Sequence, residues 1–331
     1  MKRRKNLYSF LIVIFIILLT FTISLSSTAQ SPTRLTLGTS TSGGTYFVLG
    51  GGWAKIMGES LDGVEISVQE GGGPATNIQL IEQGRMELGF ATINVAYQGW
   101  HGLDWANGVK YNKMRSIFPM YSSFLQVYTL DNTSIYNIHD LEGKHISTGT
   151  PGNTSEIAGK AVLEVLGITP SKISMLSASG QIDALKDGIT DANITVTGLP
   201  GPFMLDLETT HHPRLVGFSD EDLDKIREEY PSFFKGIIPQ DTYNDQNEDV
   251  TTVSFWNITI ASEDLPDDLV YNLVKATFEN KEALVEVNPA IKQLSPENIK
   301  YCVPIPLHPG ALKYYQEIGV DIPEALRSPS E

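Results

Sequence analysis

Glycine, serine and threonine gather at three corners of this chain in a pattern suited to gripping an anion. GTSTSGGTY (Gly38 to Tyr46) and QEGGGPATN (Gln69 to Asn77) each follow a short apolar stretch and open a helical one. GTPGNTSE (Gly149 to Glu156) repeats the arrangement after Lys144 to Thr148. Such a corner leaves backbone N–H groups unpaired at the positive end of a helix dipole, which binds an anion without a cationic side chain. Three such corners in one chain point to a protein that holds a small acidic molecule.

Each corner offers named candidates. In the first, Gly43 and Gly44 admit a ligand oxygen close to the backbone, while Ser42, Thr45 and Tyr46 supply hydroxyls and a wall. The plainer alternative is that the glycines only permit positive φ in a tight turn. In the second, Gly73 opens the helix and Asn77 offers an amide to a carboxylate; Thr76 beside it reads equally well as a helix-start cap. Thr92 and Asn94 end the next strand, at the edge where open α/β sheets bind ligands, and Tyr97 lies one turn further as core or cleft wall. In the third corner Gly152, Asn153, Thr154 and Ser155 start a helix, where capping and ligand binding coincide. Thr197 and Gly198 end a strand aimed the same way, and Tyr121 and Tyr243 fall in crossing segments that could flank a cleft.

Basic residues are scarce at these corners. Lys55, Arg85 and Lys144 are nearest in sequence and read as solvated. Carboxylate recognition would then rest on helix N-termini and hydroxyls. The six histidines form no metal pattern: His211 and His212 are adjacent before Pro213, and His308 sits in a proline-fixed loop and reads as structural. Cys302 is the only cysteine, so no disulfide forms within the chain, and a buried thiol is the expected role. There is no Gly-x-Ser-x-Gly elbow and no His-Glu-x-x-His. No catalytic residue, metal or cofactor is expected, and the reading is a binding protein rather than an enzyme, with an exported hydrolase the weaker alternative.

The compartment is written at the start. Lys2, Arg3, Arg4 and Lys5 precede the apolar run Leu7 to Leu25, and Ser27-Thr28-Ala29 offers small residues for cleavage. Residues 1–29 are therefore a signal peptide or an uncleaved N-terminal anchor, and the protein is extracytoplasmic either way. An anchored form would equally suit a membrane-tethered sensory binder. The 331-residue chain has 24 basic against 39 acidic residues, for a net charge of −15, which argues against nucleic acid as a partner. It also means that net charge cannot draw in an anionic ligand.

The chain alternates strands and helices with short connections, the pattern of parallel strands joined by helical crossovers. Strands are expected at Arg34 to Gly38, Val64 to Gln69 and Glu87 to Ala91, with helices at Tyr46 to Ser60 and Ala75 to Gln83 between them. Arg115 to Leu130 reads as two β-rich stretches passing into a second lobe, and 251–262 as the return strand. The fold class is α/β, with residues 30–125 and 251–331 forming lobe I and 126–250 forming lobe II. Two crossings imply a hinge and a cleft.

The chain resembles the TAXI family of TRAP-transporter solute receptors along nearly all of its mature length. The resemblance is carried by LTLGTSTSGGTYFVLGGGWAKIM (Leu35 to Met57), VQEGGGPATNIQLIEQGRMELGFATINVAYQGWHG (Val68 to Gly102) and DLEGKHISTGTPGNTSE (Asp140 to Glu156), then by IPQDTYNDQNEDVTTV (Ile238 to Val253) and IPLHPGALKYYQEIGV (Ile305 to Val320). It implies a two-lobed, type II-like periplasmic-binding-protein fold that closes over glutamate or a related amino or oxo dicarboxylate. The ligand would pass to TRAP membrane permease subunits driven by an ion gradient. Gly73-Pro74 stands where the family usually carries Gly-Ser, and Gly152-Asn153-Thr154-Ser155 where it usually reads Gly-Ser-Gly-Thr. Both departures fall in the expected cleft.

Overall fold

The computed structural model describes residues 32–41 and 44–327. The leader at 1–29, whether signal or anchor, lies outside the described residues, as do Ser42 and Gly43. Among the described residues no helix is long and apolar enough to cross a membrane.

The first lobe opens with β1 (Thr33–Gly38), α1 (Thr45–Ser60), β2 (Val64–Gln69), α2 (Pro74–Glu82), β3 (Leu88–Thr92) and α3 (Ile93–His101). β4 (Met114–Leu130) leads into the second lobe, which contains β5 (His145–Thr148), α4 (Thr154–Val165), β6 (Lys172–Met175), α5 (Ala178–Lys186) and β7 (Ala192–Thr197). It continues through α6 (Pro202–Leu207), β8 (Pro213–Val216), α7 (Asp220–Glu229) and β9 (Phe234–Ile238). β10 (Val250–Ser262) returns to the first lobe, completed by α8 (Asp267–Glu279), α9 (Lys281–Val287) and α10 (Pro309–Glu317).

Among the described residues, ten strands join one sheet in the order β2-β1-β3-β10-β4-β7-β5-β6, with β8 also on β4 and β9 on β10. The pairs β1/β3, β5/β6 and β5/β7 are parallel, as the βαβ pattern predicts. β10 runs antiparallel to both β3 and β4, and β4 antiparallel to β7. Two long antiparallel strands thus cross side by side from lobe to lobe.

One expectation is corrected here. Arg115 to Leu130 is not two stretches but part of a single strand of 17 residues. Pro119, which looks like a break in the sequence, sits opposite Ile258, where the pairing with β10 shifts register between Trp256 and Ile258. A residue without an N–H is tolerated at such an irregularity. A further gap in the sequence reading is 202–238, where charged and turn residues mask α6, β8, α7 and β9. Polar α7 is nucleated by a capping box of Ser219 with Asp222 and anchored by buried Leu223 and Ile226.

The apolar core divides along the crossing strands. Leu37, Trp53, Phe90, Phe118, Ile258 and Tyr315 belong to one cluster. Leu125, Ile146, Val162, Ile194, Phe233 and Phe255 belong to another. On β4 the change falls between Tyr121 and Leu125, and on β10 between Phe255 and Ile258. The apolar stripe of α4 (Ile157, Ala158, Ala161, Val162) is buried as its 3.6-residue period requires, and Gly167 at φ +67° follows its end. β3 is buried at every residue, the mark of a central strand.

The residues read as structural behave as such. His308 is buried and caps α10, its Nδ1 accepting from Gly310 N–H at 3.2 Å. Cys302 is buried, and burial pushes its thiol pKa up, away from reactivity. His212 pairs with Asp245 at the surface.

Candidate ligand-binding site

A cavity of about 90 Å³ lies where the corners of both lobes meet. On that scale a water needs roughly 10–15 Å³, so the space suits a small organic molecule. From the first lobe its wall takes Gly44, Thr45, Tyr46, Pro74 and Thr92; from the second it takes Asn153, Thr154, Ser155 and Thr197. All of these but Pro74 are among the candidates expected on sequence, and the wall has further residues that the sequence reading did not single out. Tyr121 also lines it.

The lobes touch around this space. Thr92 Oγ1 and Thr154 Oγ1 share a hydrogen bond at 2.9 Å, and Thr45 Oγ1 and Thr197 Oγ1 lie 3.4 Å apart. Ala75 N–H donates to Gly152 carbonyl at 3.3 Å. These contacts bridge the two lobes beside the cavity.

Several helices aim their N-termini at the cavity. Thr45 and Tyr46 open α1, Pro74 opens α2, Thr92 is the N-cap of α3, Thr154 and Ser155 open α4, and Ser177 and Ala178 open α5. No side chain caps the three lobe I helices, whereas Asn153 and Ser177 cap α4 and α5. The first-turn N–H groups of lobe I thus lack the usual side-chain acceptor, the arrangement that favours an anion. Among the described residues no charged side chain lines the cavity. Lys55 and Arg85 are exposed elsewhere, as expected.

The floor is a polar knot on the crossing strands. Tyr46 hydroxyl donates to Asn257 Oδ1, and Asn257 Nδ2 donates at 2.8 Å to both Tyr121 carbonyl and Ser123 Oγ. Burial, with Tyr121 nearby, holds the Tyr46 phenol well above its usual pKa, and burial does the same for Tyr121. Both phenols stay protonated donors at neutral pH.

Other candidates sit outside the wall. Asn77 is fully buried, and its Nδ2 donates to Thr39 carbonyl at 3.1 Å and Phe90 carbonyl at 3.0 Å, tying β1 to β3. A helical Cβ tilts toward the N-terminus, which turns this side chain back onto the sheet rather than out to the cleft. Asn94 is fully buried and not in the wall, and Tyr97 packs on His101 with ring centroids 4.5 Å apart. Gly73 (φ +99°) and Gly152 (φ +79°) form the contact between lobes beside the cavity: a Cβ on Gly73 would lie 3.2 Å from Asn153 Cα. Gly198 gives room to the Tyr121 ring, 3.3 Å from where its Cβ would be. Tyr243 does not reach the cleft; it is buried in lobe II, accepts from Gly201 N–H and donates to Gln126 Oε1.

Sequence reasoning missed Asn257, Gln181, Ser177, Thr195 and Phe203, all in the wall. Two of these left a trace. Asn257 is a lone amide inside the β-rich run TTVSFWNITIAS, and Ser177 precedes Ala-Ser-Gly as a cap, which starts α5 three residues before Gln181.

The NMT1-like family model matches residues 37–319. The chain belongs to the NMT1-like family. Among solved structures, this family member is similar to the periplasmic binding protein BugD at 13% identity, covering 80% of this chain and 87% of that one, with a TM-score of 0.53. A Xanthomonas citri protein solved with ATP matches at 11% identity over 86% of this chain and 95% of that one, TM-score 0.50. A TctC solute binding protein from Polaromonas matches at 14% identity over 78% and 88%, TM-score 0.48. At these identities the likeness is one of fold: this NMT1-like chain has the mixed α/β, two-lobed architecture of periplasmic binding proteins.

Proposed function

We propose that this chain is the extracytoplasmic solute receptor of a TRAP transporter, of the TAXI type, and that it closes over glutamate or a related amino or oxo dicarboxylate. The observation that carries the reading is the cavity: helix N-termini from both lobes converge on one space bounded by cross-lobe contacts. The corner motifs and the Pro-Leu-His-Pro-Gly stretch support the TAXI assignment, and a binding reaction without catalysis fits a wall free of a nucleophile–base pair.

The energetics are adequate. A carboxylate at a partly buried helix N-terminus gains up to about 2 kcal/mol, and several such contacts approach the roughly 8 kcal/mol of micromolar binding. Closure strengthens each contact by excluding water. The ligand would then be delivered to a membrane permease that recognises the closed form.

The test is a thermal-shift screen of the purified mature chain against mono- and dicarboxylic organic acids. A rise in the melting midpoint with a dicarboxylate, saturating at micromolar concentration, is expected. A flat response across the panel would remove the reading.

A further inference from the structure

The face of the crossing strands turned away from the cavity carries three rings in series. We infer that they form a brace behind the hinge, and that Phe234 in it sets how readily the two lobes separate. The inference rests on the two-lobed architecture and goes beyond the ligand reading above, since none of the three rings lines the cavity.

Each ring is tied to a different body. Phe234 begins β9, and its neighbour Phe233 is buried in the lobe II core against Phe255, with ring centroids 4.8 Å apart. Tyr301 lies in the 3-10 turn Pro296–Cys302, whose Ile299 and Cys302 are buried in the lobe I core. Trp256 stands on β10 itself, next to Asn257. Strand alternation puts the Asn257 side chain in the cavity wall and the Trp256 ring on the other face.

The contacts run from lobe II to lobe I to the crossing strand. Phe234 meets Tyr301 in a T-shaped pair, with centroids 6.2 Å apart and planes at 81°. Tyr301 stacks on Trp256 at 4.1 Å, with planes 6° from parallel. Separations in this range are attractive ring contacts. Beside them Gln293 Oε1 accepts from Ser122 N–H at 3.1 Å and from its hydroxyl at 2.8 Å, and Ser122 pairs with Trp256 across the two crossing strands. Lobe I is thus fastened to the crossing strands at both points, and Phe234 is the reach from lobe II.

The direction of the effect follows from the placement. With the pivot in β4 and β10, parting the lobes at the cavity swings their far faces toward one another. Phe234 already touches Tyr301, whose face is held against Trp256. Opening must therefore displace a ring and lose a pair. The brace favours the arrangement in which Thr92 and Thr154 meet across the cavity. Removing the Phe234 ring raises the open fraction, and a ligand held by both lobes then binds more weakly in proportion to the closed fraction lost.

The experiment is electron–electron double resonance on the ligand-free mature chain. Nitroxides go on Lys55→Cys in lobe I and Asp183→Cys in lobe II, both exposed and outside the cavity wall, while the native Cys302 is buried. Phe234 is 37% exposed, so its truncation leaves both cores intact. Phe234→Ala is expected to raise the ratio of long to short interlobe distances about 2- to 10-fold, the worth of one ring pair, and Phe234→Tyr to keep the parent's ratio. An unchanged or lowered ratio in Phe234→Ala, or one fixed distance in all three proteins, overturns the brace. Because no ligand is added, a flat organic-acid screen would remove the receptor reading without altering this result.

Discussion

Tyr46 donates its hydroxyl to Asn257 Oδ1, which ties the first helix of lobe I to the strand that crosses between lobes. The same amide holds the Tyr121 carbonyl and Ser123 from its other side, so one residue braces both crossing strands and one wall of the cavity.

Asn257→Ala should therefore damage binding more than its small volume change implies. It leaves the Tyr46 hydroxyl and the Tyr121 carbonyl without partners, each at a cost of about 1–3 kcal/mol when buried. A fall in melting midpoint together with at least about tenfold weaker ligand binding is expected, by thermal shift and calorimetry. Tyr46→Phe should reproduce the binding loss with less loss of stability, because it leaves only the Asn257 oxygen unpaired.

Tyr121→Phe separates ligand recognition from folding. The hydroxyl bonds no described protein group, so the ligand-free melting midpoint should stay within about 2 °C of the parent, in line with a stability change below roughly 0.5 kcal/mol. Ligand affinity should fall about 3- to 10-fold, the worth of one hydrogen bond. Unchanged affinity would show that the hydroxyl does not face the ligand.

Gly73→Ala tests closure. At φ +99° an alanine is strained, and its Cβ would press on Asn153 Cα at 3.2 Å across the lobe contact. The folded protein should persist while ligand no longer shrinks it: solution scattering should show a ligand-dependent fall in radius of gyration for the parent and none for the variant.

His308 sets a pH dependence of stability. Burial lowers its pKa below the usual value near 6.5, and although the Asp267 carboxylate 3.8 Å away pulls upward, burial prevails. Below pH 6.5 the unfolded chain takes up a proton that the folded chain refuses, so this contribution is complete above pH 6.5 and lost as pH falls toward the folded-state pKa. His308→Asn keeps a cap acceptor for α10 and removes the titration. Its melting midpoint should fall less than the parent's between pH 7.5 and 5.5.

The parts of the site legible in the sequence are those built from local backbone geometry. A glycine-rich bend before a helix start is a local event, so Gly44, Thr45, Tyr46, Asn153 and Thr154 could be named from the corner pattern together with the family resemblance, and all five are found in the wall. The misplaced residues are those whose direction depends on what lies behind them. Asn77 sits one turn into its helix in sequence, but the sheet edge behind it offers two carbonyls that its amide satisfies. Gln181 and Thr195 come from different elements and meet only because α5 packs on β7.

The chain by itself determined alternation of strand and helix, burial of the one-sided helical stripes, and glycine-rich bends at helix starts without cations beside them, because each follows from the period of apolar residues or from the residue types within a few positions. Tertiary structure alone decided that two long antiparallel strands carry the crossing, that Asn257 links them to Tyr46, and that the amide oxygens in the cavity are already engaged. Those outcomes depend on contacts between residues up to 211 positions apart, and no local pattern encodes which distant hydrogen-bonding groups will be brought within reach.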